Sequence, residues 1–134
     1  MPTGPIVPDT SAWVEYLRRT GSEVNVRLRE MLGEDTDVIV VGPVLMEVLA
    51  GARDERERAR LRGMFARFGY ARLEDPVDFI EAARMYRACS AAGRTLRGHV
   101  DCLIAVIAIR IGAAVLHSDG DFDAIAEHAP LQLA

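Results

Sequence analysis

The longest apolar segment of the chain is residues 103–111, which only Arg110 interrupts. It is too long for a typical strand, so we interpret it as part of a helix that is buried on most of its faces. Gly112 is suited to end this helix, and the short apolar segment 113–116 predicts a buried strand. The sequence therefore predicts a buried helix followed at once by a buried strand at the centre of the fold.

Two apolar segments earlier in the chain predict further strands. Residues 6–7 form the first, and residues 38–41, which are β-branched throughout, form the second. A strand without polar alternation is typical of a parallel sheet that is covered on both faces. Residues 70–73 and 131–133 predict short edge strands.

Helices are predicted between these strands, because apolar residues recur there with helical spacing. In the helix that follows Asp75 and Pro76 we expect the apolar side chains to face the core. The predicted helices are residues 10–19, 22–33, 43–50, 53–67, 76–92 and a last short helix before Pro130, and the predicted inner face of the fifth is Phe79, Ile80, Ala83 and Tyr86. Alternating strands and helices predict an α/β sandwich with a mostly parallel sheet, formed by a single domain over residues 1–134.

Composition narrows the class of protein. The 134 residues carry a formal net charge of −4, and all 16 basic residues are arginine, so a mechanism that needs an active-site lysine is excluded. No apolar run is long enough to span a membrane, and the first residues lack a signal-peptide pattern, so we expect a cytoplasmic protein. Cys89 and Cys102 lie in predicted helices without metal-binding spacing, and we expect two buried free thiols.

Acidic residues lie next to the apolar segments at four places. Asp9 closes the first strand, Glu47 lies about one turn into the helix after the second, and Asp119 follows the strand 113–116. Asp101 lies in the first turn of the buried helix, which must begin at the same edge of the sheet. Each acid alone has an ordinary explanation as a helix cap or turn former. Together they predict a cluster, because the carboxyl ends of parallel strands share one edge of a sheet.

Such a cluster predicts a divalent cation. Carboxylates that lie within about 4–6 Å raise each other's pKa, and a bound cation relieves that repulsion. Oxygen ligands without neighbouring cysteine or histidine favour Mg²⁺ or Mn²⁺ over zinc. These cations assist the hydrolysis of phosphodiesters. Serine or cysteine catalysis has little support, because there is no G-x-S-x-G motif and the three histidines are scattered.

Four sequence blocks resemble the PIN-domain ribonucleases, and most closely the VapC-type toxins of bacterial toxin–antitoxin pairs. The blocks are DTSAWVEYL from Asp9, MEVLAG from Met46, DCLIAVIAIRIG from Asp101 and HSDGDFDAI from His117. They span nearly the whole chain and occur in the order and spacing of the family. The resemblance implies a PIN-like three-layer sandwich with about five parallel strands and an endoribonuclease that depends on Mg²⁺ or Mn²⁺.

The resemblance also implies particular residues and partners. Its partners are an RNA substrate, for which the family suggests structured RNA such as tRNA, and a cognate antitoxin. The implied metal ligands and catalytic acids are Asp9, Glu47, Asp101 and Asp119, with Asp121 as an accessory ligand, and the implied substrate-binding residues are Thr10, Ser11 and Arg97. His117 replaces a residue that is usually threonine or small and polar, and we assign it no role. We also expect a homodimer and an antitoxin groove, with Trp13 and Leu49 among the exposed apolar residues.

Two other functions fit parts of the pattern. A phosphoacceptor or phosphatase-like α/β protein also gathers acids around Mg²⁺, but such proteins normally use a lysine, which this chain lacks. A non-catalytic binding module with the same fold is the second alternative, and the full set of acids argues against it. Within the SDGDFD segment we expect Asp121 to cap the last helix and Asp123 to lie in its first turn.

Overall fold

A computed structural model describes residues 4–134, which form an α/β fold with a parallel sheet. The strands are β1 (Ile6–Pro8), β2 (Ile39–Val41), β3 (Gly69–Ala71), β4 (Ala114–Leu116) and β5 (Gln132–Leu133). The helices are α1 (Thr10–Leu17), α2 (Glu23–Gly33), α3 (Gly42–Ala50), α4 (Glu55–Phe65), α5 (Val77–Ala91), α6 (Val100–Ile111) and α7 (Gly120–Ala126). The predicted order of strands and helices is confirmed.

The strands pair in parallel throughout the described chain. β1 pairs with β4, and β4 pairs with β5, while β2 pairs with β3. A single bridge between Ile6 and Val38 connects these two groups, with the Ile6 N–H donating to the Asp37 carbonyl at 2.9 Å. The strand order is therefore β3-β2-β1-β4-β5, and the carboxyl ends of β1 and β4 are neighbours.

Helix α6 lies at the centre of the core, as its apolar sequence predicts. Its buried residues are Cys102, Ile104, Ala105, Val106, Ile107 and Ala108. Gly112 ends the helix in the left-handed conformation at φ 71°, where glycine carries no steric penalty. The chain then turns directly into β4, all of whose residues are buried. A helix buried on several faces has no polar stripe, which explains why the apolar run is broken only by Arg110.

The predicted inner face of α5 is wrong. Phe79 and Ile80 are 48% and 58% exposed, and Ala83 is exposed as well, while Tyr86 is half-buried. The buried residues of this helix are instead Asp78, Ala82, Met85 and Cys89. These follow helical spacing, but a carboxylate occupies the first position. Asp78 tolerates burial because the Arg110 guanidinium reaches it from α6, and an apolar pattern cannot reveal such a pair.

The expectation that Trp13 is exposed is also wrong. Trp13 is fully buried and packs edge-on against Phe65, with ring centroids 5.0 Å apart. Phe68 and Tyr16 complete the aromatic cluster at 5.6 and 5.8 Å. Leu49 is half-buried. The aromatic side chain of α1 therefore belongs to the core that joins α1 to α4.

Both cysteines are buried and unpaired, which confirms the expectation of free thiols. Burial raises the pKa of the Cys102 thiol to about 12, and the nearby Cys89 adds to the shift. Among the described residues, none of the helices has the length and apolar character needed to cross a bilayer.

Candidate metal centre

Three of the predicted acids converge at the carboxyl edge of the sheet. One oxygen from each of Asp9, Asp101 and Asp119 lies within 4.8 Å of the others. Asp9 follows β1 and its N–H donates to the Leu116 carbonyl of β4 at 3.0 Å, so the ends of the two strands are held together. Asp119 follows β4, and Asp101 lies in the first turn of α6. The topology thus brings together acids that are far apart in sequence.

Asp9 is only 2% exposed and is held by local hydrogen bonds. Its Oδ1 caps α1 by accepting from the Ala12 N–H at 2.9 Å, and it also accepts from the Ser11 hydroxyl at 2.7 Å. Burial raises the pKa of Asp9, although these hydrogen bonds oppose the shift. Ser11 Oγ in turn accepts from the Ser118 N–H at 2.8 Å. The serine therefore positions Asp9 against the loop that carries Asp119.

Asp101 and Asp119 ionise very differently. Burial raises the pKa of Asp101 to about 8, and the negative charge of Asp119 contributes to the rise. Burial acts against ionisation of Asp119 too, but hydrogen bonds from the Asp121 N–H, from Asp101 and from Arg97 outweigh it and lower its pKa. Without a cation, the pair therefore favours a protonated Asp101 beside an ionised Asp119. An oxygen-only cluster that retains a proton is chemically suited to exchange it for a divalent cation.

Glu47 lies beside the three-acid cluster rather than in it. The Thr10 hydroxyl donates a short hydrogen bond to Glu47 Oε1, which ties the first turn of α1 to α3. Thr10 is the residue directly after Asp9, so Glu47 is coupled to the cluster through two adjacent residues. The Thr10 hydroxyl thus donates to Glu47 and the Ser11 hydroxyl to Asp9, and these hydrogen bonds fix the orientation of the two carboxylates.

Arg97 and Asp121 border the cluster at Asp119. The Arg97 guanidinium forms an ion pair with Asp119 and lies 3.7 Å from Asp121, while its backbone N–H donates to Asp121 Oδ2 at 3.0 Å. The hydrogen bond and the charge of Asp119 raise the pKa of Arg97. The side chain is nevertheless 74% exposed. The guanidinium is therefore an exposed cation that neutralises one of the cluster's acids.

The SDGDFD segment differs from its predicted register. Helix α7 begins at Gly120, and Asp119 rather than Asp121 caps it by accepting from the Asp121 N–H at 3.0 Å. Asp123 lies in the first turn, which confirms that part of the prediction, and Asp121 lies there as well. His117, to which the sequence assigned no role, accepts from the Asp119 N–H through Nδ1 at 3.1 Å. The ring therefore helps to position Asp119, a contact that depends on the loop's conformation and has no signal in the sequence.

Replacing Arg97 by glutamine is expected to tighten divalent-cation binding several-fold. The guanidinium neutralises Asp119, so its removal makes the cluster more negative and takes away a competitor for the same oxygen. Isothermal titration of Mn²⁺ into both proteins measures the effect. Arg94→Gln is the matched control, because it removes an arginine of the same loop that pairs with Glu127. Equal Mn²⁺ affinity of the Arg97 variant and the unmodified protein would contradict this view of Arg97.

Comparison with known proteins places the chain in a family. The model of the PIN domain matches residues 6–128. The chain is 45% identical over 130 residues to the VapC ribonuclease Mb1587 of Mycobacterium bovis and to the ribonuclease VapC11 of Mycobacterium tuberculosis, covering 96% of this chain and 97% of each relative. The protein therefore belongs to the PIN-domain family.

Solved structures show the same fold. DNA-bound VapBC of Salmonella typhimurium superposes with a TM-score of 0.73 at 20% identity over 98% of both chains. VapBC2 of Rickettsia felis, bound to a DNA fragment of its promoter, superposes with a TM-score of 0.72 at 15% identity over 96% of both chains. At these identities the likeness concerns the fold alone, and it agrees with the PIN-like sandwich expected from the sequence.

Proposed function

We propose that this protein is a metal-dependent endoribonuclease and the toxin of a toxin–antitoxin pair. The observation that carries the proposal is the convergence of Asp9, Asp101 and Asp119, with carboxylate oxygens within 4.8 Å of one another. The relatives at 45% identity are named ribonucleases, and they match this chain over almost its whole length. We propose that residues 1–134 act as a single domain.

The proposed ligands of Mg²⁺ or Mn²⁺ are the three clustered acids, with Glu47 and Asp121 at the border of the site. A bound divalent cation lowers the pKa of a coordinated water and polarises a phosphoryl oxygen. For Asp101 to ligate the cation, it must first lose the proton that it holds in the cation-free protein. Ser11 and Thr10 keep Asp9 and Glu47 in place during this exchange.

Arg97 has a second proposed role in substrate binding. Its side chain is 74% exposed, so it can leave Asp119 when a cation neutralises that acid. A guanidinium released in this way at the edge of the site is suited to contact a phosphate of the substrate by two parallel hydrogen bonds. The Arg97 side chain would then pair with Asp119 in the cation-free protein and with a phosphate of the RNA in the cation-bound protein.

Several partners follow from this proposal. The substrate is RNA, for which structured RNA such as tRNA is the candidate, and the site of action is the cytoplasm. The structural neighbours include a toxin–antitoxin complex and a member of the VapBC family of toxin–antitoxin systems, which supports a cognate antitoxin as partner.

We also propose a homodimer, supported by exposed apolar side chains at the start of α5, namely Val77, Phe79 and Ile80. Sedimentation velocity at micromolar concentration tests the dimer, and a strict monomer would contradict it.

The proposed activity is tested by incubating the purified protein with bacterial total RNA in Mg²⁺, in Mn²⁺ or in EDTA, and by mapping the cut ends. Discrete products are expected with either cation and none with EDTA. Asp123→Asn is the matched control, because Asp123 is exposed and lies outside the acid cluster, so this variant should still cleave. RNA that stays intact with both cations, in the presence of folded protein, would favour a non-catalytic binding module.

A further inference from the structure

An exposed histidine ring lies at the start of α6, two residues before Asp101. The rings of His99 and Tyr86 meet nearly at right angles, with centroids 4.5 Å apart and an interplanar angle of 75°. Tyr86 is half-buried in the second half of α5, whereas His99 is exposed. A contact of this edge-to-face kind covers at most one face of the imidazole. His99 therefore presents an open aromatic face to solvent.

Helix capping does not explain why a histidine stands before α6. This position favours serine, threonine, aspartate or asparagine, whose side chains cap the helix, but the His99 side chain makes no such hydrogen bond. Its backbone carbonyl, rather than its ring, accepts from the Leu103 N–H at 3.1 Å. Throughout residues 4–134, no group forms a hydrogen bond or an ion pair with the imidazole nitrogens. The ring is therefore available to a ligand.

The loop that carries His99 is fixed to the rest of the protein. Leu96 is only 4% exposed and anchors the loop in the core. On one side of Leu96, Arg94 pairs with Glu127, and on the other side Arg97 borders the acid cluster through its ion pair. A ring that is already held in place loses little conformational entropy when a ligand contacts it. His99 is therefore preorganised for binding.

The His99 ring lies within reach of a strand that is cut at the acid cluster. His99 already has helical backbone angles, with φ −88° and ψ −19°, and Asp101 follows two residues later. Two residues turn a helix by about 200°, so the two side chains leave opposite faces of a helix end that is about 10 Å across. This width corresponds to roughly three stacked nucleotides of one strand. A phosphate at the acids therefore leaves a base only a few nucleotides away beside His99.

We propose that the His99 ring, supported by Tyr86, is a stacking platform for one unpaired base of the RNA close to the cut. This inference rests on the proposed ribonuclease function. The acid cluster and Arg97 act on phosphate groups, and phosphate contacts position a strand without reading its bases. Bases that are splayed out of single-stranded RNA stack on aromatic side chains, including histidine. Because every base has a π-face, the platform selects an unpaired base rather than a particular one.

The test compares two substitutions that divide the properties of the histidine. His99→Gln keeps a polar group and loses the aromatic ring, whereas His99→Phe keeps an aromatic ring and loses the polar nitrogens. A 5′-fluorescein single-stranded RNA of randomised sequence, about 20 nucleotides long, is titrated in EDTA and its anisotropy is followed. His99→Gln is expected to bind roughly tenfold more weakly, the loss typical of one base–aromatic stack. His99→Phe should bind as the unmodified protein does.

Two further measurements separate stacking from charge. Stacking releases no counterions, so the slope of log K against log salt should be the same for His99→Gln and the unmodified protein. Loss of a phosphate contact would instead reduce this slope by about 0.7 on a single strand. A blunt-ended RNA duplex offers no unpaired base, so both proteins should bind it equally.

His128→Gln is the matched control. His128 is an exposed histidine that follows α7, at the end of that helix away from Asp119, and its replacement should leave RNA binding unchanged. Single-stranded RNA bound equally by His99→Gln and the unmodified protein would overturn the proposal, and so would an unmodified protein that does not bind this RNA. Binding by His99→Phe as weak as that of His99→Gln, or a reduced salt slope of His99→Gln, would overturn it in favour of a polar contact.

The outcome separates this inference from the proposed function. If the unmodified protein cleaves RNA with Mn²⁺ but His99→Gln binds and cleaves equally well, the nuclease stands and the stacking platform is excluded. If His99→Gln loses RNA binding and His99→Phe keeps it, but the unmodified protein never cleaves, the platform stands as an RNA-binding site and the nuclease is excluded. In the active enzyme, loss of the stack should raise KM more than it lowers kcat, because the contact is already made in the substrate complex.

Discussion

Replacing Asp101 by asparagine is expected to reduce metal-dependent RNA cleavage by about a thousandfold, the order that corresponds to several kcal/mol of lost charge stabilisation. Asp101 is one of the three acids whose oxygens lie within 4.8 Å of one another, so the variant loses a negative ligand at the centre of the cluster. Single-turnover cleavage at saturating Mn²⁺ measures the loss. Asp123→Asn is again the control, and an Asp101 variant as active as this control would exclude Asp101 from the site.

The same substitution should stabilise the cation-free protein at alkaline pH. The pKa of Asp101 is about 8 in the folded state, mainly because of burial, whereas an unfolded aspartate titrates near 3.9. Between these values the folded state binds more protons than the unfolded state, so stability falls as pH rises from about 4 to about 8. Asparagine cannot ionise, so the variant lacks this loss. Measured in EDTA, the melting temperature of the variant should therefore rise above that of the unmodified protein as pH increases from 5 to 9. A constant difference between the two proteins over this range would contradict the raised pKa of Asp101.

Replacing Arg110 by methionine is expected to lower the free energy of unfolding by about 3 kcal/mol, the loss typical of removing one partner of a buried ion pair. Asp78 is only 1% exposed and accepts from Arg110 Nε at 3.1 Å and from Nη2 at 2.9 Å. The Arg110 guanidinium also donates to the Arg72 carbonyl at 2.6 Å. The pair therefore joins the start of α5, the end of α6 and the segment after β3. Its loss leaves a buried carboxylate without its cation.

Urea unfolding at pH 7 measures this difference, with Arg84→Met as the matched control. Arg84 forms an exposed pair with Glu81 at 3.1 Å, and exposed pairs contribute at most about 1 kcal/mol. Burial alone would raise the pKa of Asp78, but Arg110 and the Glu74 N–H outweigh it and lower the pKa below 3.8. The contribution of the pair is therefore fully present above about pH 4 and declines at lower pH. Equal destabilisation by both substitutions would contradict the buried pair.

The fold could be predicted from the sequence in those segments where the buried residues are all apolar. The apolar run of α6, which only Arg110 interrupts, and the β-branched residues 38–41 predict a covered parallel sheet, and most of these residues lie in the core. The prediction fails on α5, where the buried face begins with Asp78 and the true partner, Arg110, is 32 residues away. Exposed Phe79 and Ile80 made the wrong face look apolar. A charged pair that is buried by tertiary contact has no local periodicity to reveal it.

The candidate site could be predicted to the level of its topology. Parallel strands that end at one edge bring Asp9 and Asp119 together, and the N-terminus of α6 adds Asp101. The side-chain contacts could not be predicted, because they depend on loop conformations. Arg97 reaches Asp119 from the loop before α6, and His117 supports the same acid from the end of β4. Neither contact follows from spacing, since both depend on distances of a few ångströms in irregular segments.

The two buried cysteines are natural probes of local opening of the protein. Cys89 of α5 and Cys102 of α6 are fully buried, and burial keeps the pKa of both thiols raised, so a thiol reagent cannot attack them in the closed protein. The rate of labelling therefore reports how often α5 separates from α6. No substitution is needed to introduce the probe. The same measurement follows how the Asp78–Arg110 pair resists that separation, at pH values and temperatures where the protein as a whole stays folded.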